Sequence, residues 1–145
     1  MELEKLHTRV MPILAIEGKG RSMPYDLTIE QKGDVLWVIA TGTRTLETVL
    51  SISNDILEAG DEKKVTKVLV DVRKLEGRLR TMESFEIPEK HFPKMRERSL
   101  IRRTAIVDLK EFEDSYRFFE DVAVNRGFAL RIFSDPEEAF KWLKR

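Results

Sequence analysis

The chain has 145 residues, with 26 Lys/Arg balanced by 26 Asp/Glu, and no cysteine. This length is most simply one domain, and zero net charge points to neither a nucleic-acid nor an acidic partner. The lack of cysteine removes disulfides, thiolate zinc sites and cysteine nucleophiles and fits a reducing compartment.

The longest apolar runs, Val10–Ile16 and Val35–Ala40, fall far short of the ~20 residues of a membrane-spanning helix, so no transmembrane segment and a cytoplasmic location are expected. Residues 1–22 do not match the rest. Leu3, Leu6 and Val10 suit a short amphipathic helical turn interrupted at Pro12. Glu17-Gly18-Lys19-Gly20-Arg21-Ser22 reads as a flexible linker. Residues 1–22 are therefore taken as an extension or arm, and 23–145 as the domain.

Leu27–Gln31 alternates apolar and polar residues as a half-buried strand does, and Lys32-Gly33-Asp34 makes a turn into a second strand, Val35–Thr41. So short a connection implies an antiparallel hairpin, with Trp37 packed on one face of the sheet. Thr45 caps a helix whose inner face is Leu46, Val49, Leu50, Ser53, Ile56 and Leu57, and Gly60 ends it. Thr66–Val72 follows. Its unbroken Val68-Leu69-Val70 suits a strand buried on both faces, and Asp71 and Arg73-Lys74 bring polar groups to its carboxyl end. Lys74–Arg80 reads as a polar loop. Thr81 is placed to cap a helix that Pro88 and Pro93 break or turn into a lid-like loop. Arg103–Leu109 is a further buried strand. Asp108 with Glu111, or a start near Glu113, opens the next helix, whose apolar face is Phe112, Tyr116, Phe119, Val122 and Ala123 and which stops at Gly127. Phe128–Phe133 is the last strand, and Asp135-Pro136-Glu137-Glu138 has the cap, first-turn proline and acidic residues of a helix start. The order β-β-α-β-α-β-α-β-α predicts an α/β domain, a mixed sheet with helices packed on it.

Catalytic chemistry is sparse. The two histidines, His7 and His91, stand in different contexts, which excludes a multi-histidine metal site, and no carboxylate pair is singled out. A receiver-type phosphoacceptor at Asp71 lacks its acidic pair and its lysine. Arg78, Arg80, Arg96, Arg98, Arg102 and Arg103 are candidates for a basic rim that holds an anionic group or an acidic partner, against the plainer reading of solvated helix and strand ends. Phe85, Phe92 and Met95 are either core or the lining of an apolar pocket. Basic residues are not interleaved with exposed aromatics, so nucleic acid is not expected.

The strands Val68-Leu69-Val70-Asp71-Val72 and Arg103-Thr104-Ala105-Ile106-Val107-Asp108, together with the closing block Asn125–Leu143, resemble the STAS superfamily. Within it the chain is similar to the SpoIIAA-like branch, also described as STAS/Sec14-like. In the closing block the resemblance lies in Arg131-Ile132-Phe133, the acidic cap Asp135, Glu138-Ala139 and Trp142-Leu143. The resemblance implies a SpoIIAA-like mixed sheet and a non-enzymatic regulatory or binding module with no cofactor and often dimeric. Its partner would be a protein or a small apolar or anionic ligand. Sec14-like relatives imply an apolar, lipid-like ligand. Anti-sigma-antagonist relatives imply a phosphorylation switch at an Asp-Ser-Ser/Thr-Gly motif. Here the equivalent region, Gly77-Arg78-Leu79-Arg80-Thr81-Met82-Glu83-Ser84, lacks that motif, and Thr81 is the nearest candidate for phosphorylation. Arg78, Arg80, Thr81, Ser84, Phe85 and Phe92 are the expected ligand- or partner-binding residues.

Overall fold

The computed structural model describes residues 8–10, 25–80, 86–91, 93–94, 97, 99–112, 116–125, 127 and 129–145. In chain order the elements are β1 (Thr8–Val10), β2 (Tyr25–Lys32), β3 (Val35–Thr43), α1 (Leu46–Lys63), β4 (Lys67–Glu76), a π-turn (Ile87–His91) and β5 (Arg103–Val107). A 3₁₀ turn (Lys110–Phe112), α2 (Arg117–Asn125), β6 (Ala129–Phe133) and α3 (Pro136–Lys144) complete the chain. The strands form one mixed sheet in the order β1-β2-β3-β4-β5-β6. β1, β2 and β3 pair antiparallel, and β3 to β6 run parallel. The order follows the expected β-β-α-β-α-β-α-β-α, with β1 added at the edge and the π-turn in the place of the second helix, whose expected cap, Thr81, lies outside the described residues.

Alternation along the strands gives the sheet two apolar faces. Leu27, Ile29, Leu36, Val38, Val68 and Val70 belong to the larger core, which α1, Ile87 and Ala123 of α2 cover. On the other face Val35, Leu69, Ala105 and Val107 pack against Ala139 and Leu143 of α3. Each parallel crossover moves to the next strand in the same direction, so successive right-handed crossovers put their connections on one face. Of the three helices named, only α3, which follows the last strand, lies on the other. Trp37 packs there, tilted against Phe140 at 5.4 Å between ring centroids.

Several boundaries differ from those read in the sequence. Val10 lies in a strand, not in a helical turn, because the outer edge of β2 offers backbone partners at Leu27–Ile29. β4 runs on to Glu76, past the expected end, and its register against β3 shifts between Ile39 and Thr41. That shift turns Leu75 inward and places Lys74 in the strand. α1 does not stop at Gly60. A Cβ there would come within 2.8 Å of the Ile101 side chain, so glycine serves close packing inside the helix. The cap falls at Lys64, whose φ of 56° is in the left-handed region. Glycine adopts this conformation without the Cβ penalty, so Lys64→Gly is expected to stabilise the protein by roughly 0.5–1 kcal/mol, read from the denaturant midpoint. Asp108 does not open a helix. It follows β5 and precedes the 3₁₀ turn, α2 is described from Arg117, and the alternative start near Glu113 lies outside the described residues.

Under α1, the Tyr25 hydroxyl donates to the Asp55 carboxylate at 2.6 Å. Burial pushes the Asp55 carboxyl above its ordinary value; the Tyr25 hydrogen bond opposes this, and Glu58 adds to it. A raised acid binds its proton more tightly when folded, so its stabilising contribution is complete in acid and lost as pH rises through the folded value. Ionised Asp55 is thus a net cost at neutral pH. Asp55→Asn is expected to raise stability there, and the gain is expected to vanish in acid, where both side chains are neutral. Urea denaturation at the two pH values reads the difference.

Candidate functional site

The carboxyl ends of β3, β4 and β5 converge on Arg44. This residue follows β3 directly, and its backbone N–H donates to the Glu76 carbonyl at 2.7 Å, fastening the β3–α1 connection to the end of β4. Thr45 then caps α1, its hydroxyl accepting from the Thr48 N–H at 3.0 Å. The Arg44 side chain, 9% exposed, therefore turns in under the connection and not out to water. Its Nε donates to the Gly77 carbonyl at 3.0 Å, and its Nη2 to the Val72 carbonyl at 3.2 Å. Its Nη1 donates to the Tyr116 hydroxyl at 3.1 Å and lies 3.3 Å from Asp108 Oδ2.

Asp108 is held just as firmly. Its N–H donates to the Phe133 carbonyl at 2.9 Å, tying the end of β5 to the end of β6. Its Oδ1 accepts from the Leu109 N–H at 2.7 Å, and its Oδ2 accepts from the Tyr116 hydroxyl at 2.6 Å. Burial first, and then the Asp108 carboxylate, drive the Tyr116 phenol far above its ordinary value, so it stays a neutral donor. At 3.3 Å and an effective dielectric of about 20, the Arg44–Asp108 attraction is about 5 kcal/mol. Desolvation costs several kcal/mol per ion, so the surrounding hydrogen bonds decide whether the cluster is tolerated.

Beneath this cluster lies an apolar cavity of about 150 Å³. Its floor is Val68, Val70 and Val72 of β4 with Thr104 and Ile106 of β5, and α1 and Phe119 form its sides. Most of the floor residues are short valine and threonine side chains, and the space above them, between α1 and Phe119, is not filled. Leu79 and Ile87 reach it from the irregular stretch after β4. A smaller recess of about 70 Å³, lined by Arg44, Arg78, Asp108, Phe112 and Tyr116 among others, adjoins the cluster.

Of the residues singled out in the sequence, Arg78 is exposed with its guanidinium 4.4 Å above the Phe112 ring, and Arg80 is exposed beyond Leu79. Thr81, Ser84, Phe85 and Phe92 lie outside the described residues, as do Met95, Arg96 and Arg98. The described part of the expected basic rim does not come together. Arg78 and Arg80 follow the carboxyl end of β4, whereas Arg102 and Arg103 stand at the amino end of the parallel β5. There Arg103 lies 4.2 Å over the Trp142 ring, and Arg102 donates to the Ser99 and Ile101 carbonyls. Asp71 is turned to the α3 face and consumed locally, accepting from Arg73 Nε at 3.0 Å and Nη2 at 2.7 Å. Among the described residues no group of three or more histidine, cysteine, aspartate or glutamate side chains could hold a metal ion. No helix of the described residues is long and apolar enough to cross a membrane.

Sequence reasoning missed Arg44 altogether and read Asp108 and Tyr116 as helix residues. The available signal was two opposite charges, each directly after a strand, with one strand between those two.

The fold and its cavity define a mixed α/β module with a pocket between one face of its sheet and the helices that cover it. No family model matches the chain, and no curated protein does. Among solved structures it is similar to an uncharacterized protein of the DUF3478 family with a SpoIIAA-like fold from Shewanella loihica, at 21% identity and a TM-score of 0.51. The match covers 83% of this chain and 93% of the other. The fold is therefore SpoIIAA-like, as the sequence resemblance implied.

Proposed function

We propose that this chain is a non-enzymatic binding module that holds a compact apolar ligand in the cavity between α1, α2 and strands β4 and β5. The observation that carries the reading is the cavity itself: about 150 Å³ with apolar walls, set between one face of the sheet and the helices that cover it. Filling a core volume of this size with apolar atoms is worth on the order of 3–4 kcal/mol at the usual cost per unit of cavity volume. A guest about the size of one aromatic ring matches it. Regulation enters through Leu79, which lines the cavity between the exposed Arg78 and Arg80. A guest that displaces Leu79 moves both cations, and a protein partner docked on them reads the occupancy.

The test is mass spectrometry on protein purified from its own source, native first and then denatured. Release of a stoichiometric apolar compound, whose removal lowers Tm, is the expected result. A bare chain whose Tm no compound in an apolar panel raises would overturn the reading.

A further inference from the structure

We infer that the cavity selects neutral ligands over anionic ones, because the Asp108 carboxylate already neutralises the arginine in its wall. This rests on the ligand-binding reading above and names the ligand class. Among the described residues, Arg44 is the only charged one lining the cavity. A buried arginine beside an apolar pocket ordinarily marks a carboxylate or phosphate site. Here each guanidinium nitrogen already has a partner, Nε the Gly77 carbonyl, Nη2 the Val72 carbonyl and Nη1 the Tyr116 hydroxyl, and the Asp108 carboxylate 3.3 Å from Nη1 balances the charge. To take the full Arg44 charge a ligand anion would have to displace the Asp108 carboxylate, which is itself 1% exposed and fixed by the Leu109 N–H and the Tyr116 hydroxyl. Without that displacement the anion would be desolvated with no counter-charge and would lie near a second carboxylate.

The remaining polar groups in the wall suit a neutral hydroxyl. The Ser53 hydroxyl donates to the Val49 carbonyl at 2.9 Å, which leaves its oxygen able to accept. Thr104 lines the same cavity from β5. A small alcohol or phenol donates to one of these oxygens and gives its apolar body to the valines and isoleucines.

The matched probes are benzyl alcohol and benzoate, of like size and opposite in charge state near neutral pH. Binding is followed on the δ-methyl NMR signals of Ile56 and Ile106, which line the cavity. Benzyl alcohol is expected to shift both signals and to bind on the order of tenfold or more tighter than benzoate, the burial of an uncompensated carboxylate being the source of the difference. Benzoate binding equally well or better at these methyls overturns the inference and leaves the cavity reading standing. Neither probe moving them overturns the cavity reading and the inference with it. In Asp108→Asn the Arg44 charge loses its partner at unchanged shape, so benzoate is expected to gain on benzyl alcohol. An unchanged ratio in a folded D108N protein would remove Asp108 as the source of selectivity. The wild-type comparison stands whether or not that variant folds.

Discussion

Arg44→Met is expected to lower the free energy of unfolding by about 3–5 kcal/mol, because it leaves the Asp108 carboxylate buried without its counter-ion. Asp108 is 1% exposed, so water does not replace what Arg44 supplied. The substitution also frees the Gly77 and Val72 carbonyls that Arg44 ties to the β3–α1 connection. Pairing Arg44→Met with Asp108→Leu removes the orphaned charge, so the double variant is expected to recover a large part of the loss. Denaturant melts of the two single variants and the double variant give the coupling directly. A single-variant loss below about 1 kcal/mol would mean that the pair behaves as an exposed surface ion pair. It would also remove the reason for treating Arg44 as a neutralised charge.

The second large effect concerns the cavity. Thr104 stands on β5 in its floor, and Thr104→Phe places a ring in the space assigned to the ligand. In a filled core so large an increase costs roughly 1–3 kcal/mol of overpacking. Here the ring has room, so stability is expected to hold or rise. Binding of benzyl alcohol is expected to fall by about a factor of ten or more, because the new ring takes the volume and the wall atoms that a guest would pack against. The combination is diagnostic: retained stability with lost binding assigns the volume to the ligand. A destabilised T104F protein that still binds would place the ligand elsewhere.

The sheet was legible in the sequence because packing writes it there. Val68-Leu69-Val70 and Thr104-Ala105-Ile106-Val107 read as strands buried on both faces, and both faces are covered, by α1 and α2 on one side and α3 on the other. The α3 start was legible too, since Asp135 caps and Pro136 opens it through local chemistry alone. Gly60 misled because glycine usually ends a helix, whereas here the Ile101 side chain, far along the chain, requires it. The Arg44 cluster was illegible for the same reason. Arg44 lies far from Asp108 and Tyr116 in the chain, and only the parallel order β3-β4-β5 brings the ends of β3 and β5 within reach of one another. Asp108 beside Glu111 looks like a capping box until Tyr116 and Arg44 are seen to hold it. The cavity depends on what stands over short valine and threonine side chains, α1 on one side and Phe119 of α2 on the other, and no run of residues encodes that by itself.

A crystal pressurised with xenon tests the central claim most directly, since xenon seeks apolar cavities and its anomalous scattering locates it without a ligand having to be guessed. The account predicts a dominant xenon site between α1 and α2, above Val70 and Thr104 and below the Arg44–Asp108–Tyr116 cluster. Xenon absent from that position, or found only on the α3 face beside Trp37 and Phe140, would contradict it.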